Sequence, residues 1–193
     1  ERDDEWSMIK LAYIEMDRGN SEERLKWIQK ALEKEYIDAY FELGFFYQFD
    51  EAYKDLEKAQ QSYYQAAQLG NPDGMNGLAL IYYNMPDYKG DEQAFRWFSK
   101  SADLGDSFGL YYLAVMYENG FGTYSNKQKA WDLYLASADQ KFSPAYRKIA
   151  QLIEEGEAPA SFTGRELEYY IKAAERNDID AIHDVIRFLE NDP

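Results

Sequence analysis

The side chains able to do chemistry in this chain are almost all carboxylates. Histidine occurs once, as His183, and cysteine is absent. No His-based triad, multi-histidine metal site, thiol nucleophile or disulfide can therefore be assembled within one chain. Adjacent acids at Asp3-Asp4-Glu5, Glu22-Glu23 and Glu154-Glu155 supply the residue type that acid–base hydrolysis uses. Neighbours on a helix point ~100° apart, however, so these pairs read as solvated faces or cap charges. No Asp-x-Asp-x-Asp-Gly loop is present for calcium. Gly120-Phe121-Gly122 lacks the Lys-Ser/Thr that would follow in a phosphate loop. This inventory predicts no metal, no cofactor and no enzyme; a carboxylate-based hydrolase is the alternative from another class.

Charge narrows the partner. The chain holds 36 acidic against 21 basic residues, a net charge of −15. Such a field repels nucleic-acid phosphate and anionic lipid and favours another protein with a basic surface. The competing reading is that the acid keeps a tyrosine-rich surface soluble. Aromatic stacking platforms for single-stranded nucleic acid need basic surroundings, which are missing here. No apolar run approaches the ~18 residues of a membrane-spanning helix, so no insertion is expected, and no signal peptide is visible. The chain starts Glu1-Arg2-Asp3 without a methionine, which leaves room for an upstream secretory signal or lipid anchor. A monomer is favoured.

The elements that position these side chains follow from a repeat. Ala39-x-x-x-Leu43-Gly44-x-x-Tyr47 returns as Gly74-x-x-x-Leu78-Ala79-x-x-Tyr82 and Gly109-x-x-x-Leu113-Ala114-x-x-Tyr117. Fainter copies are Ala145-x-x-x-Ile149-Ala150-x-x-Ile153 and Ala181-x-x-x-Val185-Ile186-x-x-Leu189. The steps are 35, 35, 36 and 36 residues, the length of one stacked helical hairpin. Apolar spacing and end signals predict helices over about 3–18, 21–34, 37–49, 52–69, 72–85, 91–104, 107–119, 126–140, 143–156, 163–176 and 179–190. Second helices end in small pairs, Ala66-Ala67, Ser101-Ala102 and Ala173-Ala174, followed by Gly70, Gly105 and Asn177; Ala59, Ala94 and Ala130 also fall in register. Small residues let helices approach closely, and Gly or Asn accepts the left-handed conformation that ends a helix. Asn71-Pro72, Ser143-Pro144, Asp106 and Asp178 read as helix starts, and Asn20-x-x-Glu23 and Thr163-x-x-Glu166 as capping boxes.

This pattern, with Glu118-Asn119-Gly120-Phe121-Gly122, Lys129-Ala130 and Ser137-Ala138 in the best-matching unit, resembles the Sel-one-like repeats of the tetratricopeptide-repeat superfamily. Gln48-Phe49-Asp50 and Asn84-Met85-Pro86 depart from the family's glycine loop. The resemblance implies an all-α, right-handed α–α superhelix of about five helical hairpins plus a closing helix. It would form one domain over 1–193, with units near 1–35, 36–70, 71–105, 106–141 and 142–177 and the closing helix at 178–193. It implies a protein–protein interaction module of bacterial cytoplasm or periplasm. The sharper expectation is an immunity or inhibitor protein that neutralises a basic toxin or effector; the alternative is an adaptor or chaperone for a secretion, envelope or signalling assembly.

In such solenoids the first helix of each unit lines a concave face. The candidate partner-binding residues are then Trp6, Tyr13, Phe41, Phe45, Phe49, Asn76, Tyr83, Tyr111, Glu118, Asn119, Arg147, Gln151, Glu154 and Glu155, with His183 and Arg187 beyond them. Exposed aromatics beside polar groups suit a docked partner. Burial of Phe41, Phe45 and Phe49 against neighbouring helices is the competing reading. The repeat tyrosines Tyr47, Tyr82 and Tyr117 read as structural.

Overall fold

The computed structural model describes residues 5–85 and 88–191, the side chains of residues 5, 88 and 191 apart. The expected helix start at residue 3, the acids Asp3 and Asp4, Pro86 of the third unit's loop and the last two residues lie outside them. Among the described residues there are eleven α-helices and no strand. They are α1 (Glu5–Asp17), α2 (Ser21–Glu33), α3 (Asp38–Phe49), α4 (Leu56–Gln68), α5 (Pro72–Tyr83) and α6 (Tyr88–Asp103). Then follow α7 (Ser107–Asn119), α8 (Lys127–Asp139), α9 (Ser143–Glu154), α10 (Glu166–Ala174) and α11 (Ile179–Asn191), with a 3₁₀ turn at Ala160–Phe162. The fold is an all-α solenoid of helical hairpins. Its contacts form two compact units, residues 1–97 and 98–193.

In the first unit α1 packs on α2, α3 on α4, and α4 on α5. Small residues set the spacing. A Cβ added to Gly74 would lie 2.4 Å from the Ala66 Cβ, inside any tolerable contact. Tyr63, fully buried, fills the space left by two glycines: added Cβ atoms at Gly44 and Gly77 would sit 2.5 and 2.7 Å from its ring. Ile28 and Phe46, both fully buried, and Ala12 form the core beside α1.

The second unit repeats the plan. α7 packs on α8, α9 on α10, and α10 on α11. Gly109 meets Ser101 as Gly74 meets Ala66; an added Cβ would approach the Ser101 Oγ to 2.6 Å. Tyr134 and Tyr170 are fully buried in a core that includes Trp131, Ile149 and Ala150.

Helix ends obey the chemistry in part. Asn71, Asp106 and Asp178 cap as expected, accepting from the backbone N–H of Gly74 (2.7 Å), Gly109 (2.7 Å) and Ala181 (3.0 Å). The two capping boxes do not form. The Asn20 amide donates instead to Glu15 (3.0 Å), and Thr163 follows the 3₁₀ turn, so α10 starts at Glu166 rather than 163. Phe142 takes the N-cap position of α9, and the Ser143 hydroxyl turns to the Ala173 carbonyl (3.1 Å). α4 starts at Leu56 rather than 52 because Asp55 caps it, accepting from Lys58 N (3.1 Å). α6 starts earlier than expected, at Tyr88.

The chain leaves each second helix through a left-handed residue: Glu35 (φ 61°), Gly70 (85°), Gly105 (78°), Lys141 (64°) and Asn177 (61°). Glu35 and Lys141 hold this conformation despite their side chains, at a cost glycine avoids. Replacing exposed Lys141 by Gly should therefore raise stability by up to about 1 kcal/mol, read as a higher Tm. Gly74→Ala should lower it by about 1–3 kcal/mol, because the Ala66 backbone cannot yield.

Candidate partner-binding site

In the first unit, α3 carries a row of rings. Phe41 and Phe45 have centroids 6.4 Å apart, and Phe45 and Phe49 4.7 Å. Spacing of four residues puts them on one helix face. Phe41 and Phe45 are half-buried, Phe41 against Tyr63 at 5.8 Å, while Phe49 is 57% exposed. On α1, Trp6 is 58% exposed and holds Lys10 Nζ 3.2 Å above its ring.

Behind these rings sits a polar core that sequence reading missed. Tyr13 donates its hydroxyl to the carboxylate of Glu42. Glu42 and Arg24 are both buried. The Arg24 guanidinium lies 5.6 Å over Phe45 and 5.4 Å over Phe46, and its Nη2 is buried with no hydrogen-bond partner among the described residues. Burial pushes Glu42 above the ordinary carboxylate range, against the Tyr13 hydroxyl and the Arg24 charge. Burial also lowers Arg24, against the pull of Glu42 and Asp50. Tyr13 is raised by its own burial and then by Glu42. A signal existed: Arg24 occupies the register position of Ala59, Ala94 and Ala130.

The other predicted residues fall elsewhere. Asn76 is buried and Tyr83 half-buried. In the second unit, Tyr111 packs among Tyr112, Tyr134 and Phe142 at 5.3–5.5 Å. Glu118 accepts the Tyr134 hydroxyl at 2.6 Å and pairs with Lys148 at 2.8 Å. Exposed Asn119 donates to the Val115 carbonyl at 2.8 Å. Arg147 ties α9 to α11 through Asp184 (2.8 Å) and Asp180 (3.0 Å). Glu154 accepts from the Tyr170 hydroxyl (2.7 Å) and from both Arg187 nitrogens (2.8 and 2.9 Å). Gln151 is half-buried; Glu155 and His183 are exposed.

These bonds repeat. Tyr63, Tyr134 and Tyr170 each donate to an acceptor 15 or 16 residues earlier: Gln48, Glu118 and Glu154. A buried phenol needs such a partner, so Glu118 and Glu154 brace their hairpins. Among the described residues no group of three or more His, Cys, Asp or Glu could hold a metal ion, and no helix is long and apolar enough to cross a membrane.

The Sel1 repeat matches at residues 37–71, 72–106, 107–142 and 167–178, more than half of the chain. The chain belongs to the Sel1 repeat family. Members of that family are helical protein-interaction repeats, and this chain is such a module. No curated protein matches it. Among solved structures, the Sel1 repeat protein from Oxalobacter formigenes is similar at a TM-score of 0.77 and 22% identity, covering 94% of this chain and 76% of that one. The c5321 protein, a protective antigen present in uropathogenic Escherichia coli strains and displaying an SLR fold, is similar at 0.73 and 26%. That match covers 98% of this chain but only 42% of the Escherichia coli one, so the present chain spans less than half of its length. The immunity protein Pa5087 from Pseudomonas aeruginosa is similar at 0.60 and 19%, covering 82% of this chain and 59% of that one.

The Glu154 brace carries a pH signature. Arg187 first, then the Tyr170 hydroxyl, hold Glu154 below the ordinary carboxylate range. A depressed acid stabilises the fold above its unfolded value of about 4.3 and loses that contribution as pH falls through the folded value. Arg187→Ala should thus cost up to about 1 kcal/mol at neutral pH, the ceiling for a solvent-exposed pair. In urea melts the gap to wild type should close as the medium is acidified through that window.

Proposed function

We propose that the chain is a bacterial immunity or inhibitor protein that binds and neutralises a basic toxin or effector. The observation that carries this reading is the row of rings on α3, half-buried Phe41 and Phe45 followed by exposed Phe49, with a further exposed ring at Trp6 on α1, in a molecule of net charge −15. Aromatic anchors with rigid, half-buried neighbours are the residues that dominate interface energies. The net negative charge of the chain adds long-range steering of a basic partner. Trp6 already accepts a cation, Lys10, on its ring face, and a partner's lysine or arginine would use the same attraction. The fold shared with an immunity protein supports the choice within the interaction class.

Affinity capture from the source bacterium, followed by titration of the captured partner, tests this. An inhibitor should retain one basic protein, release it at raised salt, and suppress its toxicity when the two are co-expressed. Trp6→Ala and Phe49→Ala remove exposed rings and leave the fold intact. Together they should weaken binding by about tenfold or more. Capture of several unrelated cellular proteins would favour an adaptor; unchanged affinity in the double variant would remove the aromatic face from the interface.

A further inference from the structure

A second recess lies in the first unit, on another flank of α3. Tyr40 and Leu43 are placed about 100–200° around that helix from Phe41 and Phe45, and they border a cavity of about 470 Å³. Its other walls come from α4 and α5. A space of this size lies within the range of small-ligand sites, roughly 300–1,000 Å³. None of the described residues lining it is charged, although 30% of the chain is. The lining consists of amides, phenols, one hydroxyl and two leucines.

Leu43 and the fully buried Leu78 close the apolar base. Tyr40, Tyr64 and Tyr82 stand around it. Gln60 is engaged, donating to the Tyr82 hydroxyl at 3.0 Å. Gln61 and Gln65 are exposed on α4, and their side-chain amides hydrogen-bond to no group among the described residues. A primary amide donates and accepts at once, so each can pair with the N–H and C=O of one residue, which point to the same edge of an extended chain. One helical turn separates them, about 6 Å along the axis. An extended chain presents peptide groups on the same side every two residues, about 6.6 Å apart. The two amides are therefore in step with an extended backbone.

We propose that this recess binds a short, uncharged, extended peptide segment, with Gln61 and Gln65 pairing to its backbone and an apolar side chain seated over Leu43. An uncharged lining offers no counter-ion to an acidic or basic side chain, which would lose its hydration on entry. The site is independent of the aromatic face, and its test does not require the partner proposed there.

Nuclear magnetic resonance on the full chain, labelled with nitrogen-15, supplies the test. The probe is acetyl-Ala-Leu-Ala-amide; acetyl-Glu-Leu-Glu-amide and acetyl-Lys-Leu-Lys-amide are the charged controls, and a trimer of N-acetylglucosamine is the sugar control. The neutral peptide should shift the side-chain amide resonances of Gln61 and Gln65 in a saturable way, and each control should bind more weakly. Gln61→Ala with Gln65→Ala should weaken the peptide by about tenfold or more at unchanged helicity, the hydrogen bonds of both amides to its backbone being lost. No saturable shift, binding indifferent to the double variant, or a response to the sugar in place of the peptide would each overturn the proposal.

Discussion

Backbone proximity at one recurring contact governs this architecture. Where a second helix ends and the next first helix begins, the chain places Ala66 against Gly74 and Ser101 against Gly109 so tightly that one added methyl has no room. At that distance the helices cannot slide or tilt independently, and every side chain further along inherits its position. The left-handed residues at 35, 70, 105, 141 and 177 turn the chain back at the point where this contact requires it. Dispersion and apolar burial in the core then add to a geometry already chosen by the smallest side chains.

A second device makes the hairpins rigid from within. Tyr63, Tyr134 and Tyr170 bury an aromatic ring and anchor its hydroxyl on the end of the preceding helix. The third hairpin substitutes Phe98 at this position, and its register partner is Tyr83 rather than an amide or acid. Packing and polar satisfaction thus co-vary along the array, as expected where an unmatched buried group is expensive. A surface held this stiffly suits recognition, since little conformational freedom remains to be lost on binding.

Most of this fold was readable from Ala, Gly and Leu at fixed steps, because close contact tolerates few side chains and so leaves a periodic trace. Helix starts were less legible. Asn20 and Thr163 match the capping pattern, yet tertiary neighbours claim one and a 3₁₀ turn displaces the other. The site was legible only as a face. Glu118, Arg147 and Glu154 carry charge on a first helix, but their partners Lys148, Asp184 and Arg187 lie on other helices, which one-dimensional spacing does not pair. Arg24 was overlooked because the alanine periodicity was read for its matches and not for its exceptions, Arg24 in the first unit and Glu166 in the fifth.

The Arg24 exception has a consequence for how such an array can change over generations. Repeats are interchangeable only while their contacting surfaces are alike. Arg24 reaches Phe45 and Phe46 of the following hairpin and shares its charge with Glu42, whereas the register positions of Glu42 further along hold Gly77, Tyr112, Lys148 and Asp184, the last already paired with Arg147. The opening hairpin is therefore mated to one successor. Duplication or recombination downstream can lengthen or shuffle the array, but a crossover between α2 and α3 would strand a cation in the interior, so the order of these first two modules is locked.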